Sequence, residues 1–128
     1  MTDIRARKNK RVLVVDDDPG IREMIEMTLA TEGYDVEAVA DGESALQAAR
    51  RAPPDVILLD IKMPLMGGGQ FARLYREQAG PRRAPIVVIT AAQGADERAK
   101  EIGADGYLGK PFPLATLLEV VARHAFAK

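Results

Sequence analysis

The stretch RVLVVDDDPG, residues 11–20, joins a short apolar run to three consecutive aspartates and a proline. The run from Val12 to Val15 has the composition of a strand that is buried on both faces, as in a parallel sheet. Asp18 and Pro19 then supply a helix N-cap and a proline at the first helical position. This order predicts a strand that ends in polar residues and passes at once into a helix.

The same order of strand and helix continues to the end of the chain. Strands are predicted at residues 11–15, 35–39, 55–59, 86–89 and 106–108, each followed by a segment with helical spacing. The glycines at 67–69 predict a late start for the third helix. Short connections imply right-handed crossovers, and hence a doubly wound α/β fold with five parallel strands and helices on both faces.

Length and composition set the class of protein. A chain of 128 residues with 47% hydrophobic residues fits one domain, which we assign to residues 11–127, after a polar and basic arm at residues 1–10. The absence of cysteine excludes disulfides and zinc thiolate sites, and it is compatible with a reducing cytoplasm, where we expect the protein. A net charge of −1 argues against a nucleic-acid surface, and no apolar stretch is long enough to suggest insertion into a membrane.

Polar residues follow four of the predicted strands. They are Asp16 to Asp18, Asp60, Thr90 and Lys110. Because the carboxyl ends of parallel strands meet at one edge, where open α/β sheets bind ligands, we expect these side chains to lie together. Acids that face one lysine and one hydroxyl suit a hard cation and a phosphoryl group.

The aspartates after the first strand differ in role. Asp18, directly before Pro19, is interpreted as the helix cap. Asp16 and Asp17 cannot cap the same helix as well, and like charges ~4 Å apart repel by ~4 kcal/mol at an effective dielectric constant of ~20. A cation between them would relieve this repulsion, and oxygen ligands favour Mg²⁺.

Asp60 is the candidate nucleophile. Taken singly, Asp60 could begin a turn, Lys110 could be a solvated surface residue and Thr90 could simply end a strand. Together, they allow the carboxylate to attack a phosphoryl donor and form an aspartyl phosphate, because Mg²⁺ and Lys110 would neutralise the repulsion between the anions. A cis peptide bond before Pro111 would aim the ammonium group inward. The Thr90 hydroxyl could then donate to a phosphoryl oxygen.

Four motifs together resemble the receiver domains of response regulators in two-component signalling. They are VLVVDDDPG, VILLDIKMPLMGG, IVVITAA and GADGYLGKPF, and the similarity covers residues 10–126. The resemblance implies a flavodoxin-like fold with strand order 2-1-3-4-5 and five helices. It further implies that the protein is a signalling phosphoacceptor rather than an enzyme.

The resemblance also implies roles for the residues of the site. Asp60 would accept a phosphoryl group from a histidine kinase or a phosphotransfer protein. Mg²⁺ would be bound by the side chains of Asp17 and Asp60 and the backbone carbonyl of Lys62, with Asp16 acting through water. Lys110 would contact the phosphoryl group.

A conformational switch is implied as well. Thr90 would move toward the phosphate while the ring of Tyr107 turns inward, which would change the surface formed by the fourth helix, fifth strand and fifth helix. In this family, the positions held by Lys62 and Ala92 govern how water reaches the acyl phosphate. Because Ala92 cannot orient a water and Lys62 can pair with the phosphoryl group, we expect slow hydrolysis.

Two other classes of function compete with this interpretation. A magnesium-dependent phosphohydrolase of the haloacid-dehalogenase type is the main alternative, because Asp16 and Asp18 form a D-x-D motif after the first strand. Its motif normally continues to Thr or Val, whereas this chain has Gly20. A Toprim-like nucleic-acid domain would need a glutamate after the first strand, which is absent.

No output region follows Lys128 in this sequence, so we expect the output to be protein interaction. The expected partners are the phosphodonor and a downstream protein target or output domain, without direct nucleic-acid contact. We expect a monomer or a dimer that depends on phosphorylation.

Overall fold

The computed structural model of the chain describes residues 10–63, 65–91 and 93–126. The strands are β1 (Arg11–Val15), β2 (Asp35–Val39), β3 (Val56–Asp60), β4 (Ile86–Ala91) and β5 (Gly106–Lys110). The helices are α1 (Pro19–Thr31), α2 (Gly42–Arg51), α3 (Gly68–Ala79), α4 (Ala95–Ile102) and α5 (Leu114–Ala125). The basic arm predicted at residues 1–10 lies outside the described residues except for Lys10, as does residue 127 at the end of the predicted domain.

The sheet has the predicted architecture. Its five strands run in the order β2-β1-β3-β4-β5, and every neighbouring pair is parallel. This confirms the doubly wound α/β fold. Strands β1, β3 and β4 are central and almost wholly buried, as their uninterrupted apolar runs indicated.

Side chains that alternate along the strands form two separate cores. On one face Leu13 and Ile57 pack with residues of α2, α3 and α4, such as Phe71. On the other face Val14 and Leu58 pack with residues of α1 and α5. The sheet is therefore covered on both faces, and its carboxyl edge remains open between the two layers of helices.

Three strands extend beyond the boundaries that their apolar residues predicted. β3 includes Asp60, β4 continues to Ala91, and β5 continues to Lys110. The reason is visible in the register, where Asp60 is paired with Ile89 and Thr90 with Gly109. Backbone pairing does not require apolar side chains, so Asp60 and Lys110 end their strands and Thr90 is the residue before the end of β4.

Helix α3 does not start late, and that prediction was wrong. It begins at Gly68, after Gly67, without a side-chain cap. The Gly68 amide instead donates to the Ile61 carbonyl at 3.1 Å. A Cβ atom at Gly68 would lie only 3.1 Å from the Ile61 Cα atom, so glycine allows the helix to start against this backbone.

The first two helices begin with aspartate caps. Asp18 accepts hydrogen bonds from the amides of Gly20 and Ile21 at 2.9 and 3.3 Å, which confirms its predicted role. Asp41 caps α2 by accepting from the Ser44 amide at 2.7 Å, and this hydrogen bond holds the pKa of Asp41 below its usual value. Among the residues that the structure describes, no helix has both the length and the apolar character needed to cross a membrane.

Candidate functional site

Three carboxylates meet at the carboxyl edge of the sheet. Asp16 follows β1 and is fully buried, Asp60 ends β3 and is 6% exposed, and Asp17 is exposed to solvent. One carboxylate oxygen from each lies within 4.8 Å of the others. The structure thus brings together the acids that the sequence placed at the ends of two different strands.

Backbone amides fix the orientation of the two buried carboxylates. Asp16 accepts a hydrogen bond from the Asp18 amide at 2.9 Å, and Asp60 accepts one from the Lys62 amide at 3.1 Å. Arg22 on α1 donates to the backbone carbonyl of Asp16 at 2.9 Å. The sequence analysis did not identify Arg22, although its place one turn after the Asp18 cap directs it toward the end of β1.

Lys110 reaches the acids from the far strand of the sheet. Its Nζ lies 3.5 Å from an oxygen of Asp16 and 3.9 Å from an oxygen of Asp60. The peptide bond between Lys110 and Pro111 is cis, as the sequence suggested. One ammonium group therefore faces two buried carboxylates.

The pKa of Asp60 is raised to about 6, mainly because burial removes water from the carboxylate and then because Asp16 lies nearby. The Lys62 amide and the Lys110 ammonium group act in the opposite direction. The raising effects outweigh these two lowering effects, because burial is the largest of the four.

The donor atoms of this site fit Mg²⁺. The three carboxylates offer only hard oxygen ligands, and within the described part of the chain the Lys110 ammonium group is the only cation that pairs with them. Magnesium ions in proteins are held by one or two carboxylates and retain several waters, which matches a group with one exposed and two buried acids.

Thr90 lies on the neighbouring strand with its side chain buried, 3% exposed. Its hydroxyl accepts a hydrogen bond from the Arg98 guanidinium group at 3.4 Å. Arg98 is the fourth residue of α4 and also donates to the Gln93 carbonyl at 3.1 Å. The sequence analysis missed Arg98, because nothing in a polar helix marks which charged residue turns toward the sheet.

Two further predicted residues lie at the rim. The Tyr107 ring is on β5 beside Val88 in the register and is 50% exposed. The Lys62 side chain is exposed, while its amide binds Asp60. Ala92 lies outside the residues that the structure describes.

Comparison with known proteins identifies the family. A family model described as the response regulator receiver domain matches residues 12–122. The DNA-binding response regulator MtrA of Mycolicibacterium smegmatis is 41% identical over 117 residues, which cover 89% of this chain and 50% of MtrA. The response regulator MprA of Mycobacterium leprae is 41% identical over 110 residues, covering 84% and 47% of the two chains. The chain therefore spans about half the length of these curated relatives.

Solved structures agree with the sequence comparison. The chemotaxis response regulator CheY4 of Vibrio cholerae is 40% identical with a TM-score of 0.82, covering 89% of this chain and 97% of that one. The receiver domain of the sensor histidine kinase PA1611 from Pseudomonas aeruginosa is 37% identical with a TM-score of 0.82, covering 92% and 98%. In that receiver domain a magnesium ion is coordinated in the active-site cleft.

Proposed function

This chain belongs to the response regulator receiver domain family of two-component signalling, and from that premise we propose that Asp60 is its phosphoacceptor. The observation that carries the proposal is the contact of Asp60 with Lys110 and its neighbouring acids at the carboxyl edge of the sheet. Within this cluster, Asp60 is the acid that lies on the central strand β3, between β1 and β4. Asp60 is therefore the carboxylate that lies between the residues at the end of β1 and those at the end of β4.

The proposed reaction is transfer from a phosphohistidine of a kinase or phosphotransfer protein. A carboxylate oxygen of Asp60 attacks phosphorus, the P–O bond forms, the P–N bond breaks, and its electron pair returns to the imidazole. Lys110 neutralises charge on the phosphoryl oxygens. When bound by Asp16, Asp17, Asp60 and the Lys62 carbonyl, Mg²⁺ would supply the remaining positive charge.

The proposed output is a change of surface. A phosphoryl group brings nearly two negative charges and strong hydrogen-bond acceptors, so it attracts the Thr90 hydroxyl. Movement of Thr90 would let the exposed ring of Tyr107 turn inward, as a shift between two packings of one fold. The surface of α4, β5 and α5 would then differ between the two states. We propose that it binds a downstream protein or an output domain, and that the chain is a monomer or a dimer that forms on phosphorylation.

Slow loss of the phosphoryl group is a further part of the proposal. The exposed Lys62 side chain stands two residues after Asp60, where its ammonium group can pair with the phosphoryl oxygens. We expect Lys62→Ala to shorten the lifetime of the phosphorylated protein by severalfold. An unchanged lifetime in that variant, with wild-type decay in seconds, would contradict this mechanism.

The test of phosphorylation is the intact mass after incubation with acetyl phosphate. We expect wild type to gain one phosphoryl group only when Mg²⁺ is present, and Asp60→Asn to gain none. Asp96→Asn is the matched control, because Asp96 is an exposed acid in the first turn of α4, and it should behave as wild type. Absence of an adduct on wild type would contradict the proposal. Steady release of phosphate that needs Asp16 and not Asp60 would instead favour the phosphohydrolase alternative.

A further inference from the structure

Arg98 ties the switch residue to helix α4. Its guanidinium group donates to the Thr90 hydroxyl at 3.4 Å and to the Gln93 carbonyl at 3.1 Å. The same group lies close to Gly94, where a Cβ atom would be 3.8 Å from an Arg98 nitrogen. Arg98 therefore spans the connection between β4 and α4 and is partly buried there.

The Thr90 hydroxyl is hydrogen-bonded to helix α4. Within residues 10–63, 65–91 and 93–126, its hydrogen bond is to Arg98, and none joins it to Asp60. The bond is near the upper limit of length for a hydrogen bond. A movement of the hydroxyl by about 1 Å toward β3 would carry it out of range of Arg98, unless the guanidinium group gave up the Gln93 carbonyl to follow it.

We propose that Arg98 is a positioning residue that holds the Thr90 hydroxyl on the α4 side and thereby opposes the phosphorylated arrangement. The inference rests on the proposed roles of Asp60 and Thr90. Since the contact stabilises only the unphosphorylated arrangement, its removal shifts the equilibrium toward the other one. By reciprocity, the same removal tightens the binding of any group that mimics the phosphoryl group at Asp60.

The first experiment measures the affinity of the protein for beryllium trifluoride with saturating Mg²⁺. This anion binds a carboxylate and imitates its phosphorylated form. We expect Arg98→Met to bind it about fivefold more tightly than wild type, the amount that corresponds to one ordinary hydrogen bond. Weaker or equal binding by Arg98→Met would overturn the inference. Weaker binding would mean that the guanidinium group follows Thr90 and pairs with the anion.

Two control variants separate hydrogen bonding from charge. Lys100→Met removes a positive charge from an exposed position on the same helix, and we expect it to bind no more tightly than wild type. Arg98→Lys keeps the charge but loses the planar guanidinium group, which donates to both Thr90 and Gln93. We therefore expect this variant to bind beryllium trifluoride more tightly than wild type. If Lys100→Met tightened binding as much as Arg98→Met, the effect would belong to the charge of α4, and the inference would fail.

A double-mutant cycle tests whether Arg98 acts through Thr90. In a Thr90→Val background the hydroxyl is gone, so we expect Arg98→Met to change the affinity by less than about 1.5-fold. A fivefold effect that persisted there would show a merely structural role. Nuclear magnetic resonance of the Tyr107 ring gives an independent readout, because Arg98→Met should increase the inward population before any anion is added.

Failure of this inference can be told apart from failure of the proposed function. If wild type gains no phosphoryl group at Asp60 and binds no beryllium trifluoride, the proposed function fails. If wild type does both and Arg98→Met matches it, only the role of Arg98 fails.

Discussion

Asp60 is held in an environment that disfavours its own charge. Burial and the neighbouring Asp16 raise its pKa to about 6, above the ordinary value of 3.8. Between these two values the folded protein binds more protons than the unfolded chain, so the free energy of unfolding falls as pH rises from about 4 to about 6. Above pH 6 the full destabilisation is present. The buried carboxylate next to Lys110 thus lowers the free energy of unfolding at neutral pH.

We therefore predict that Asp60→Asn stabilises the metal-free protein at neutral pH. The gain should be up to about 3 kcal/mol, since one pKa unit corresponds to about 1.4 kcal/mol. It should shrink toward zero below pH 4, where Asp60 is protonated in both states. Urea denaturation at pH 4 and pH 7.5 checks this, with Asp96→Asn as the control. A gain that was the same at both pH values would contradict the assigned pKa.

The same pKa predicts how Mg²⁺ affinity depends on pH. Above pH 6, Asp60 is ionised and the affinity should be nearly constant. Below pH 6, Mg²⁺ must displace a proton from Asp60, so the affinity should fall by about tenfold for each pH unit. Isothermal titration calorimetry between pH 5 and pH 8 measures this. A flat profile over this range would contradict the combination of a raised pKa and metal binding at Asp60.

Individual residues also show how far the sequence predicts the site. The polar residues after the apolar runs could be identified, because parallel strands bring such positions to one edge of the sheet. They are Asp16, Asp17, Asp60, Thr90 and Lys110. Arg98 could not be identified in this way. Its side chain reaches Thr90 only because of the rotation of α4 about its axis, and a helix with many charged residues contains no signal for that rotation.

At the scale of single elements, the first two residues of helix α3 are both glycine, but they have different surroundings. Gly68 lies against the Ile61 backbone, whereas none of the described residues lies within 4 Å of a Cβ atom at Gly69. Both residues are in the helix. Glycine in a helix is less favourable than alanine by up to about 1 kcal/mol. The two positions therefore differ in packing and not in helix propensity.

We predict opposite effects of alanine at these two positions. Gly69→Ala should raise the free energy of unfolding by about 0.5–1 kcal/mol through helix propensity alone. Gly68→Ala should give no gain or a loss, because its Cβ atom would press on the backbone of Ile61, next to Asp60. Thermal unfolding of the two variants checks the difference, and equal stabilisation by both would disprove the close approach.

Element boundaries were predicted less well than element types. β1 and β2 have the bounds that the apolar and polar pattern indicated, because each begins and ends where its hydrophobicity changes. β3, β4 and β5 continue one or two residues further, since pairing with a neighbouring strand extends the ladder past the last apolar residue. The end of a strand cannot be predicted from its own residues when pairing with a neighbouring strand determines it.

For the whole molecule, Mg²⁺ should act as a stabilising ligand. The acids that would hold it follow or end β1 and β3, and these two strands contribute side chains to both cores. A ligand that binds only the folded chain stabilises it by about 2.7 kcal/mol at a hundredfold excess over Kd. We expect Mg²⁺ to raise the Tm of wild type and to leave that of Asp17→Asn nearly unchanged. Asp35→Asn is the control and should keep the shift, whereas a full shift in Asp17→Asn would indicate nonspecific binding.

The strand order leaves β2 at one edge of the sheet, where no strand of the described residues pairs with its outer backbone groups. Such an edge can template the addition of strands from other molecules and so begin aggregation. Here the edge is five residues long and carries Asp35 and Glu37, which form ion pairs with Arg11 and, for Glu37, with Arg51 as well. An incoming strand would have to approach these charges and disrupt their pairs. The same residues that fasten β2 to β1 thus oppose the addition of a strand at this edge.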